Sequence, residues 1–221
     1  MPHTKPEPGR DAPPAPTLAG IHFRGKLPHL KKEGAVYFVT FRLADSLPAH
    51  EFARLKHERQ AILEQARAAK RPLTWHEEEQ LLAWYCDKVE SVLDTGHGAC
   101  WLSRPDVAGL MANALNHFSG QRYELHAWVV MPNHIHAVVW PMPDNTLSDI
   151  LHSWKSFTGN EANKLLHRTG SFWQEESFDH WIRDDTEKVR LVAYVENNPV
   201  KAGFCKNPAD WKWSSAATHS P

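Results

Sequence analysis

Apolar residues recur along this chain with two periods, and the alternation between them outlines the fold. From Ala35 to Leu43 an apolar run with β-branched and aromatic bias sets Tyr37, Val39, Phe41 and Leu43 on one side and Val36, Phe38, Thr40 and Arg42 on the other, which predicts a central strand. Pro48 opens a helical stretch to about Ala69, and Thr74 with Glu77 has the spacing of a capping box that starts a second helix to about Leu93, stopped by Gly96 and Gly98. Together these read as a helical hairpin inserted at about 48–95. Pro105 then begins an amphipathic helix with Val107, Leu110, Met111, Ala114, Leu115 and Phe118 on one face, closed by Gly120. Arg122 to Val130 alternates as a strand, and Pro132-Asn133 turns tightly into another beginning at His134, so the two are expected to pair as a hairpin. Asn145-Thr146 starts a long helix to about His167, and a short strand follows near Phe178 to Arg183. A last helix runs from Asp184 to Asn198, with Pro199 expected just beyond its end.

The order strand, helix, strand, strand, helix, strand is the split βαβ arrangement of ferredoxin-like folds. The expected class is therefore α+β, an antiparallel sheet with the His134 strand in a central position.

Composition narrows the setting. A chain of 221 residues with 42% hydrophobic and 23% charged residues can bury one sizeable core, read here as one domain over 21–221. The first 20 residues carry six prolines and few large apolar groups, and are expected to form a disordered arm. A net charge of -1 argues against a uniformly basic coat, so any nucleic-acid contact must use local patches such as the basic 21–32 stretch with Arg24 and Lys26. Cys86, Cys100 and Cys205 lack the spacing of a zinc knuckle or a disulfide framework, and no apolar run approaches membrane-spanning length. A cytoplasmic protein that is neither secreted nor membrane-embedded is expected.

The candidate chemistry lies in Met131-Pro132-Asn133-His134-Ile135-His136. On a strand, His134, His136, Val138 and Trp140 share one face, so two imidazoles stand side by side. That pattern suits either a divalent-metal site or a pair of hydrogen-bonded histidines. On the last helix Tyr194 and Asn198 are four apart and share a stripe with Arg190, a spacing that fits both a catalytic phenol beside a polar ligand and ordinary packing with a helix cap.

These segments together resemble the REP-associated tyrosine transposases of the HUH superfamily of single-strand DNA endonucleases. The resemblance rests on Leu27-Pro28-His29, Tyr37-Phe38-Val39-Thr40-Phe41-Arg42-Leu43, Ala127 to His136, Leu151-His152-Ser153-Trp154-Lys155-Ser156-Phe157-Thr158, Phe172-Trp173-Gln174, Asp179 to Asp184, Tyr194 to Gly203 and Trp211 to Ser215, in that order. The smallest transposases of the superfamily lack the 48–95 hairpin. The resemblance implies Mg2+ or Mn2+ held by His134 and His136, with Asn198 at the position of a polar third ligand. It implies Tyr194 as a nucleophile that forms a covalent 5′-phosphotyrosine. Single-stranded or hairpin-forming palindromic repeat DNA is the implied partner; related transposases include dimers that swap the tyrosine helix, whereas the ordinary loop after Arg183 points here to a monomer whose site is completed in cis. Lys155, Arg190 and Lys201 are further candidates for phosphate contact, and Trp154 and Trp173 are candidates for either the core or base stacking. A repeat-DNA-binding protein that no longer cuts is the alternative.

Overall fold

The computed structural model describes residues 18–24, 27–32, 34–71 and 73–218. It opens with an antiparallel ribbon of β1 (Leu18–Arg24) and β2 (Leu27–Lys32), which begins within the segment expected to be a free arm. Lys26 and residues 1–17 lie outside the described residues.

The main sheet is built from β3 (Val36–Arg42), then β4 (Tyr123–Val130), β5 (His134–Pro141) and β6 (Phe178–Ile182). Its spatial order is β4-β5-β3-β6 and every neighbouring pair is antiparallel. With α4 (Pro105–His117) joining β3 to β4 across β5, and α5 (Leu147–Leu165) joining β5 to β6 across β3, this is the expected split βαβ topology, and β5 is central.

Alternation along the strands gives the sheet two different faces. Tyr37, Val39, Phe41, Ile135, Ala137 and Val139 pack with Met111, Leu115, Ile150 and Trp154 of α4 and α5 in the principal core. The opposite face offers Phe38, Val129 and Val138 to Leu191 and Val195 of α6 (Asp185–Lys201) and to Leu82. A bulge in β4 between Leu125 and Ala127 keeps both faces filled: Leu125 packs with the first cluster and Ala127 with the second. Trp154 and Trp173 belong to the core, their indole N–H groups donating to the Tyr123 hydroxyl and the Thr158 hydroxyl at 2.9 Å each.

The inserted hairpin forms as its caps direct. Its first arm is α1 (Ala49–Ala68); its second is α2 (Trp75–Trp84), a π-helical turn at Tyr85–Val89 and α3 (Glu90–Leu93). The Thr74 N–H donates to Glu77 Oε2 at 2.7 Å and the Glu77 N–H to Thr74 Oγ1 at 3.3 Å, the expected capping box. The Arg71 guanidinium beside Glu77 and the Thr74 N–H hold that carboxyl down to about 2, against its partial burial. Salt bridges from Arg183 to Glu78 and Glu79 fasten α2 to the end of β6.

One expectation fails. Pro199 lies inside α6, which continues to Lys201 and is capped by Ala202. A proline in the last turn forfeits only its own bond to the carbonyl four residues back, and the N–H groups of Ala202 and Gly203 still close on Asn198 and Val200.

The insertion returns to the sheet through Gly98, whose φ of +88° and tight approach to Asp45 suit glycine alone: a Cβ there would fall 2.6 Å from the Asp45 carbonyl oxygen. Next to it, the Ala99 N–H donates to Asp45 Oδ2 at 2.9 Å. Gly98→Ala is expected to destabilise the fold by about 2 kcal/mol in urea titration; an unchanged midpoint would mean the loop moves freely off Asp45.

Candidate functional site

His134 and His136 lie on the α6-facing side of β5, 1% and 0% exposed. Strand register sets what orients them. Thr40 pairs across from His136, and its Oγ1 is 2.7 Å from His136 Nδ1. His134 Nδ1 lies 2.7 Å from Asn133 Oδ1, while Asn133 Nδ2 donates to the carbonyls of Leu93 and His97. Because that amide nitrogen is spent on carbonyls, the oxygen faces the ring, so His134 Nδ1 carries the proton and Nε2 a lone pair. Neither Nε2 has a hydrogen-bond partner. Burial first, and then the His136 ring beside it, push His134 down to about 3, so it is a neutral ligand-type imidazole at ordinary pH.

α6 delivers the other expected residues. Asp184 caps it, accepting the Glu187 N–H at 2.8 Å, and the helix lays Tyr194 and Asn198 over the histidine pair. The Tyr194 ring is 5.9 Å from that of His136, and Phe38 fills the angle between them, stacked on His136 and edge-on to Tyr194. The Tyr194 hydroxyl is buried without a hydrogen-bond partner. Burial, the negative charge of Glu90 and the neighbouring Cys86 raise its pKa far above that of an ordinary phenol. The Cys86 thiol is itself pushed up to about 11, by burial first and then by Glu90.

Glu90 is the residue that sequence reasoning missed. It is fully buried, with Oε1 2.9 Å from His136 Nε2, and its ligand atom lies within 4.8 Å of those of both histidines. Burial alone would raise its carboxyl, but the His136 and His134 rings beside it hold it down to about 2. Asn198 Nδ2 donates to Glu90 Oε2 at 2.9 Å. A carboxylate only accepts, so the amide nitrogen must face it, which turns Asn198 Oδ1 away as an unpartnered acceptor. Glu90 sits in Asp87-Lys88-Val89-Glu90, which reads locally as a solvated helix face; the available signal was the polar stripe Cys86, Glu90 and Asp94 at four-residue spacing beside apolar Leu82, Val89 and Leu93.

Glu90 Oε1, Asn198 Oδ1 and the two Nε2 atoms are thus buried without a well-formed hydrogen bond, and Oε1 stands 2.9 Å from His136 Nε2, a spacing that a shared proton or a shared cation would satisfy. Neutral imidazoles, a carboxylate and an amide oxygen form a donor set that fits a divalent cation such as Mn2+ or Mg2+.

The other expected residues lie around this centre. Lys201 places its ammonium 5.6 Å from the Tyr194 ring centroid and donates to the Cys86 carbonyl. Arg190 is 59% exposed and pairs with Glu187 and Glu79 rather than with Tyr194. Lys155 engages the carbonyls of Gln174 and Glu175 and the Ser177 hydroxyl, and burial lowers it to about 8. Arg24 ends β1. No helix among the described residues is long and apolar enough to cross a membrane.

Comparison with known proteins finds the same segment. Residues 107–198 match the family described as transposase IS200 like. A REP-associated tyrosine transposase from Escherichia coli K12 is 32% identical over 95 residues, covering 42% of this chain and 54% of that protein. A relative from Haemophilus influenzae is 30% identical over 104 residues, covering 42% of this chain and 58% of its own. The chain therefore matches little more than half the length of either relative. A solved REP-associated tyrosine transposase, described as bound to a REP hairpin, is 18% identical with a TM-score of 0.46, covering 88% of this chain and 84% of its own.

The depressed His134 value has a consequence for stability. A histidine whose folded value lies below its unfolded one binds its proton preferentially in the unfolded chain, so stability falls as pH drops from the ordinary value near 6.5 towards 3. Between about pH 7 and about pH 5 the loss from this group is expected to be about 2 kcal/mol. Glu90 adds the same sign only below its ordinary value of 4.5, whereas His126, also lowered by burial, acts in the same upper window, so the comparison with a His134 variant is what separates the two histidines. Urea titrations at both pH values should show a shallower slope in His134→Gln; an equal slope would assign the acid sensitivity elsewhere.

Proposed function

We propose that this chain, matched by the IS200-like transposase family across the segment holding His134, His136, Tyr194 and Asn198, is a metal-dependent single-strand DNA endonuclease and strand transferase. The observation that carries the reading is the gathering of those side chains under α6, each with one buried polar atom that lacks a hydrogen bond: the two Nε2 atoms, Tyr194 Oη and Asn198 Oδ1. Hairpin-forming repeat DNA is the substrate class that the sequence resemblance implies.

In this reading Tyr194 Oη attacks the scissile phosphorus, the bond to the 3′ oxygen breaks, and the strand leaves with a free 3′-hydroxyl while its other end stays on the tyrosine as a 5′-phosphotyrosine. The phosphodiester is conserved in the phenol ester, so a second 3′-hydroxyl can reverse the step and join strands. Mg2+ or Mn2+ held by His134, His136 and Asn198 would polarise the phosphate and offset the charge that burial and Glu90 otherwise disfavour at Tyr194 Oη. Phe38 sets the angle between the phenol and the imidazoles, and Asn133 and Thr40 hold the rings in orientation.

Lys201, 5.6 Å from the Tyr194 ring centroid, and Arg190, one turn before that tyrosine on α6, are proposed to contact phosphates, and the basic residues Arg24 and Lys26 remain candidates for the same role from the sequence. Lys155 would have to exchange its carbonyl partners for a phosphate to join them. Lys201→Ala is expected to weaken DNA binding and to lower the slope of log affinity against log salt by about one; an unchanged slope would take Lys201 off the path.

Incubation with a hairpin oligonucleotide and Mn2+ should give a slower-migrating covalent species on a denaturing gel, lost in Tyr194→Phe. An adduct that persists in that variant would remove Tyr194 from its role. Tight hairpin binding without any adduct, across Mn2+ and Mg2+, would favour the silent DNA-binding protein.

A further inference from the structure

We infer that Glu90, carried by the inserted helices and lying outside the family-matched residues 107–198, is a ligand of the divalent metal, so that metal binding clamps the insertion onto the sheet. This deepens the proposed function and rests on it.

Three independent features lead to Glu90. Its Oε1 is buried, close to His136 Nε2, and lacks a hydrogen-bond partner, as do both histidine Nε2 atoms and Asn198 Oδ1. A divalent cation satisfies a carboxylate oxygen and two imidazole nitrogens at once without adding a proton to any of them. The carboxylate is also held from behind: Asn198 Nδ2 donates to Oε2, which fixes the plane and leaves Oε1 free, the arrangement by which neighbouring groups orient ligands in metal sites. Finally, the backbone departs from α-geometry just before it. The π-helical turn at Tyr85–Val89 inserts an extra residue per turn, and such turns concentrate at functional sites.

The same residues tie the insertion to the histidine strand. Asn133, which orients His134 through Oδ1, donates through Nδ2 to the Leu93 carbonyl at the end of α3. Tyr85 stacks on Phe178 of β6 with ring centroids 3.9 Å apart. Glu90 is thus delivered by a segment docked through contacts of its own, and a cation shared between Glu90 and the β5 histidines would bridge the two.

The test uses the full chain, with Mn2+ alone as the probe, read by isothermal titration and by limited proteolysis of residues 49–93. Glu90→Gln keeps the shape and can still accept from Asn198 while losing the charge. It should bind Mn2+ about tenfold or more weakly than the wild type, and Mn2+ should protect the 49–93 segment from cleavage in the wild type alone. Wild-type Mn2+ affinity in Glu90→Gln, with binding lost in His134→Ala, would overturn this inference and leave the proposed function standing. A wild-type chain that binds neither Mn2+ nor Mg2+ would overturn both. Should Glu90→Gln fail to fold, the wild-type proteolysis decides: Mn2+ binding without protection of 49–93 overturns the clamp.

Discussion

Burial of several acceptors around His136 with no donor assigned to them is the constraint on which the rest of the structure depends. An unsatisfied buried polar atom costs roughly 1–3 kcal/mol, so such a group adds nothing to the fold until a partner offsets it. The fold must therefore be secured elsewhere. It is secured on the opposite face of the sheet, where α4 and α5 bury Met111, Leu115, Ile150 and Trp154 against β3 and β5. One face of β5 supplies stability, and the other is left to hold a costly polar arrangement.

That arrangement is rigid because each ring is oriented by a neighbour with little freedom of its own. Thr40 is fixed opposite His136 by strand register, and Asn133 is fixed by its two carbonyl partners. Phe38, from the same strand as Thr40, wedges between His136 and Tyr194. The insertion closes the remaining side. In a bare split βαβ sheet this surface would face solvent beyond α6; here α2, the π-turn and α3 cover it and bring Glu90 against the histidines and Cys86 beside Tyr194.

Much of this was legible in the chain because it depends on local periodicity. The strand at 36–42, the capping box at Thr74 and Glu77, the hairpin through Pro132-Asn133 and the shared stripe of Tyr194 and Asn198 all follow from spacings of two, three or four residues. The reading went wrong where a local rule had a tertiary exception. Pro199 reads as a stop, yet the last turn tolerates it because the following N–H groups still close the helix. Trp154 and Trp173 read as core more readily than as stacking platforms, and their burial and indole hydrogen bonds to Tyr123 and Thr158 place them there.

The paired imidazoles on one face of a strand, the helix that carries Tyr194 and Asn198, and the succession of elements along the chain are properties that the amino-acid sequence determined alone, since alternation and capping act within a few residues. Which carboxylate meets those imidazoles was decided only in three dimensions. Glu90 and Asn198 are 108 positions apart, and no pattern within either segment encodes their contact. Only the docking of the insertion makes Glu90 a buried partner of the histidines, and only the acceptor-only nature of that carboxylate settles which way the Asn198 amide must turn.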